Sequence, residues 1–107
     1  MANDVHPEIG AAAVERIARR EFGGEADTAL SILARYGCES WHRELSRVRT
    51  AAMYIASGDL HELEDVIAAA CRDYRDVLMW AEYRDYDRGP TAHARHARVY
   101  LEWLNRD

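Results

Sequence analysis

His93 and His96 stand three residues apart near the carboxy-terminal end of the chain, a spacing at which two imidazoles on one helical turn can reach a single metal ion. Carboxylates to complete such a site could come from Glu82, Asp85 or Asp87, across the turn marked by Gly89-Pro90. An HEXXH motif or a pair of ExxH motifs would make that reading specific, and neither is present. A small metal-binding protein or enzyme using His93 and His96 therefore stands as the alternative reading, and no metal, cofactor or catalytic residue is assigned. His6, His42 and His61 have no companions. Tyr74, with Asp73, Arg75 and Asp76 around it, could move a proton. No nucleophile, base and oxyanion donor accompany it, so the run reads as a helical turn that anchors a core ring and pairs its charges with neighbours. Arg43, Arg47 and Tyr54, with Thr50 between, could meet phosphates. With Glu44 beside them and a net charge of −5, they read instead as a solvated, salt-bridged face, and no nucleic-acid partner is expected. No glycine-rich phosphate loop follows a strand.

The elements that must position these residues are helices. Gly58 to Tyr83 carries a capping box, Asp59 with Glu62, and an apolar stripe of Leu63, Val66, Ile67, Ala70, Tyr74, Val77, Leu78 and Ala81 without an internal breaker. This predicts one long helix ending near Tyr83 to Asp87. Before it, Ser40 is expected to cap a helix whose stripe is Trp41, Leu45, Val48, Ala52 and Ile55. The turn at Gly58 is so short that these two helices should form an antiparallel hairpin. Pro7 suits the first turn of an opening helix with Ile9, Ala13 and Ile17 in register, stopped by Gly23-Gly24. Residues 25 to 36 give a shorter one, with Ala26, Ala29, Leu30 and Leu33 on one side and Gly37 as its stop. Thr91 is expected to cap the last, which directs Ala97, Tyr100, Leu101 and Leu104 one way. The reading is all-α: a compact bundle of about five helices around the hairpin of helices three and four, forming one domain over residues 1–107.

Composition bounds the rest. All 14 basic side chains are Arg and Lys is absent, an accent common in GC-rich bacterial genomes, and Arg suits bidentate pairing with the many carboxylates here. No apolar run approaches the length needed to span a bilayer, and the first residues lack the basic and apolar regions of a secretory signal. A cytoplasmic protein without a membrane partner is expected. Cys38 and Cys71, lacking metal-type spacing, are expected to be reduced thiols, Cys71 as a small core hydrophobe.

One feature does not fit a simple core. Met79, Trp80 and Tyr83 project away from the main stripe of the long helix, and large aromatics off the core face either cover another helix or contact a second chain. With Trp103 they form a candidate interaction surface, for which a homodimer or another protein is the expected partner. From Arg47 to Tyr83, about a third of the chain, the Arg-Val-Arg entry, the Gly-Asp-Leu turn and the Asp-Tyr-Arg-Asp-Val-Leu followed by Ala-Glu-Tyr resemble an uncharacterised group of small bacterial proteins. In that group a proline often follows the last Tyr, where Arg84 stands here. The resemblance implies a bacterial, all-helical domain and supplies no activity, cofactor or substrate. The function read from the residues is a small helical interaction or assembly module.

Overall fold

A computed structural model describes residues 9–106. Among them, six α-helices and two 3-10 turns form an all-α bundle: α1 (Ala11–Phe22), α2 (Ala26–Leu33), α3 (Leu45–Ala56), α4 (Leu60–Arg72), α5 (Tyr74–Glu82) and α6 (Pro90–Leu104), with 3-10 turns at Gly23–Glu25 and Tyr86–Arg88. No described helix is long and apolar enough to cross a membrane. The core is where α3 packs against both α4 and α5. Val48, Ala51, Ala52 and Met53 of α3 meet Leu63, Ile67, Ala70, Val77 and Ala81 there, and Ile17, Ala18, Ala29 and Leu33 close it from α1 and α2. The small residues on α3 let its neighbours approach closely, and the apolar faces leave water together.

The expected α3–α4 hairpin is present. Its turn needs two left-handed residues in succession, Ser57 (φ 54°) and Gly58 (φ 85°), and a Cβ at Gly58 would also stand 3.2 Å from the Glu21 carbonyl oxygen. Glycine satisfies both demands at little steric cost. Asp59 then caps α4 by accepting from the Glu62 amide at 3.1 Å.

The single long helix expected across residues 59 to 83 is two helices. Asp73 adopts an extended conformation (φ −160°, ψ 103°), closing α4 with its amide and opening α5 with its side chain, which accepts from the Arg75 amide. Asp competes well for backbone donors outside a helix, and here that local bond outweighs one more helical turn. The third expected helix also starts later, at Leu45 rather than after Ser40, and leaves Trp41 and Leu45 exposed. The residues between are tied in another way. Tyr36 is fully buried, its hydroxyl donates to the Arg43 carbonyl (2.7 Å) and accepts from the Arg43 amide (3.0 Å), and the Arg49 guanidinium binds the Tyr36 carbonyl. His42 stacks on that ring at 4.3 Å and its Nδ1 accepts from the Gly37 amide. Burying one large aromatic with its hydrogen bonds satisfied holds this connection out of helix.

Smaller differences follow the same logic. Pro7 and His6 lie outside the described residues, and α1 begins after Gly10. The last helix starts at Pro90, with its missing donor in the first turn, rather than being capped by Thr91. Leu101, expected to face inward with Ala97, Tyr100 and Leu104, is exposed, and Trp103 takes the buried place.

Candidate functional site

The four residues singled out as a contact surface come together at one place. Met79, Trp80 and Tyr83 from α5 and its end, and Trp103 from α6, line an open cleft of about 600 Å³ with Tyr54, Ile55 and Ser57 from the end of α3 and Arg84 and Asp87 from the following turn. Their roles differ. Met79 (53% exposed) and Trp80 (49%) stand out from the surface, while Trp103 (7%) is a buried floor rather than a free surface residue. Tyr83 is part-buried, stacked on His93 with ring centres 5.3 Å apart.

The floor is built from packed aromatic rings. Tyr54 meets Trp103 edge-on at 5.0 Å and Tyr100 at 4.8 Å, while Tyr100 stacks on Trp103. These are favoured aromatic geometries. From α1, the Arg20 guanidinium lies 4.9 Å from the Trp103 ring centre, a cation–π contact, and donates to the Arg106 carbonyl at 2.7 Å. Arg16 donates to the Leu104 and Arg106 carbonyls, so two guanidinium groups take up carbonyls at the end of α6.

Behind the cleft sits a buried ion pair that periodicity did not reveal. Glu82 has no exposed side-chain surface, and its two carboxylate oxygens accept from Nε and Nη2 of Arg47 at 2.8 and 2.5 Å. The hydrogen bond to Glu82 raises the Arg47 pKa above its ordinary value. Arg47 thus does not belong to the outward face on which it was expected with Arg43 and Tyr54. Thr50 of that face is fully buried and Tyr54 is part-buried. The sequence did hold a signal: Glu82 stands one turn after Leu78 and beside Ala81, at a position of the buried stripe, and a carboxylate there needs a partner from another element. Close by, burial and then the charge of Glu82 push the Tyr100 hydroxyl far above the ordinary tyrosine range. That hydroxyl and the Thr50 hydroxyl have no hydrogen-bond partner among the described residues.

The two histidines sit in different surroundings, and both ring nitrogens of His93 are buried without a hydrogen-bond partner among the described residues. His96 Nε2 makes a short hydrogen bond to the Ala81 carbonyl, so that nitrogen carries the proton. His93 is packed between Tyr83 and Tyr86. Of the carboxylates considered for them, Glu82 is committed to Arg47, Asp85 lies 3.6 Å from Arg88, and Asp87 is on the cleft rim. Among the described residues no three His, Cys, Asp or Glu side chains are grouped to hold a metal ion. Tyr74 is half-buried against the core and Asp73 pairs with Arg75 at 3.0 Å, with the Arg75 bond holding the Asp73 carboxyl below its ordinary pKa. Cys38 and Cys71 are free thiols, and burial pushes Cys71 up.

Fold and cleft define a small all-α bundle with an aromatic-floored groove between the ends of α3, α5 and α6. Comparison with protein-family models, curated proteins and solved structures gives no match, so the reading of the groove rests on its own geometry.

Proposed function

We propose that the protein is a small interaction and assembly module, and that the cleft edged by Met79 and Trp80 is its contact surface for a protein partner. The observation that carries this is the convergence of two half-exposed apolar side chains on a concave floor of packed aromatic rings. Trp, Tyr and Met are enriched where proteins meet, and an aromatic anchor in a pre-formed pocket loses little freedom on binding. Behind the cleft Arg47 and Glu82 are spent on each other. The simplest use of such a surface is self-association, as symmetric dimers are the commonest soluble assemblies.

Sedimentation of the wild-type chain and a Met79→Ser, Trp80→Ser variant tests the proposal. Both residues are exposed, so the variant should keep its helical circular-dichroism spectrum. Concentration-dependent dimerisation in the wild type, lost in the variant, is expected. Equal association by the two proteins would remove the cleft from the contact surface.

A further inference from the structure

The rim of the cleft carries one positive and one negative side chain, Arg84 and Asp87, both exposed and three residues apart. Their neighbours Asp85 and Arg88 lie within 3.6 Å of each other, whereas Arg84 and Asp87 have no ion-pair partner among the described residues. Between them in sequence Tyr86, 60% exposed, packs edge-on against Tyr83 and His93. A hydrophobic centre is thus edged by two opposite, unused charges.

We infer that the partner seated on this cleft is a second copy of the chain, related by a two-fold axis that passes between Arg84 and Asp87. This rests on the cleft being the contact surface, and adds its symmetry and the residues that set its specificity. In an interface of this kind, if residue i of one copy meets j of the other, j of the first meets i of the second. An axis between Arg84 and Asp87 therefore places Arg84 of each copy against Asp87 of the other and satisfies all four charges at once. A uniformly acidic or basic partner would satisfy one rim charge and oppose the other. The chain as a whole is acidic, with a net charge of −5, but the rim is locally balanced. Repulsion between the remaining charges of two copies is screened over roughly 8 Å at physiological salt. Apolar burial at the centre supplies the affinity, and the rim pairs supply register and discrimination.

The test is a charge exchange. Arg84→Asp sets two carboxylates against each other at both rim positions of a homodimer, and Asp87→Arg sets two guanidinium groups there. Each single variant should dimerise at least about tenfold more weakly than wild type, because like charges brought together across an interface oppose association. An equimolar mixture of the two variants pairs opposite charges at both positions and should recover dimers of mixed composition with near wild-type affinity. Two fluorophores, one on each variant, would report them by energy transfer. Undiminished dimerisation of either single variant, or a mixture that stays monomeric, overturns the two-fold arrangement. If the Met79→Ser, Trp80→Ser variant is monomeric while the charge variants are unaffected, the cleft remains the contact surface and the two-fold pairing falls. If that serine variant still dimerises, both fall. A wild type that is monomeric at high micromolar concentration also rules out the second copy as partner.

Discussion

Glu82 has no exposed side-chain surface and Arg47 meets both of its oxygens, which makes the pair asymmetric under mutation. Burying two charges cancels much of what their attraction returns, so the intact pair adds little net stability. Removing one partner leaves an uncompensated charge in the core. Arg47→Met should accordingly lower the unfolding free energy by about 3–5 kcal/mol. Arg47→Met combined with Glu82→Leu should regain most of that loss, since no charge then remains to be solvated. Chemical denaturation of the three proteins measures both effects. A double variant as unstable as the single one would show that the guanidinium acts through packing rather than through charge. The same residue shows why part of the site was hidden: the expected stripe stops at Ala81, Glu82 reads from the sequence only as a metal carboxylate, and its partner lies 35 residues earlier on α3, where nothing local announces it.

At the scale of elements, what was legible is what depends on neighbours along the chain. The stripes Leu63-Val66-Ile67-Ala70 and Val77-Leu78-Ala81, the Asp59 cap and the Gly58 reversal are all local, and all are in the structure. The break at Asp73 was not legible, because the stripe steps from Ala70 to Val77 in helical register on either side of it. The start of α3 was misplaced because burial of Tyr36, secured by Arg49 thirteen residues away, decides the path of the connection. Met79, Trp80 and Tyr83 could be found as large apolar side chains off the stripe, whereas Tyr54, Ile55 and Ser57 join the cleft only when α3 is folded against α5 and α6. Asp73 also gives this level its pH dependence. Its hydrogen bonds to Arg75 hold the folded-state pKa below the unfolded value, so its contribution is complete above about pH 4 and is lost as pH falls through the folded value. Asp73→Ala should flatten the acid limb of the stability curve. Carbon-detected NMR titration should place the Asp73 carboxyl below an ordinary aspartate, and an ordinary value would remove the cap from the explanation of the break.

Across the whole molecule the helices are not equally integrated. The backbone of α3 is flanked by α1, α4 and α5, whereas α6 lies chiefly against α5 and the 3-10 turn that leads into it. Three kinds of side-chain contact hold α6 in place: Tyr100 and Trp103 under Tyr54, His96 on the Ala81 carbonyl, and Arg16 and Arg20 on the carbonyls at its end. Regions with fewer packed neighbours open at lower free energy than the global transition. Amides of α6 should therefore exchange with solvent through a partial opening, while those of α3 exchange only on global unfolding. Arg20→Ala removes the hydrogen bond to Arg106 and the contact over Trp103 together. It should cost α6 about 1.5–3 kcal/mol of protection, the range for hydrogen bonds to charged groups, with a smaller change in α3. Native-state hydrogen exchange read by NMR separates the two helices. If α6 and α3 exchange with the same free energy in wild type, the bundle opens as one unit. If they differ, the floor of the cleft belongs to the part of the molecule that opens first, and a partner seated on Trp103 should raise the protection of α6 above that of the free chain.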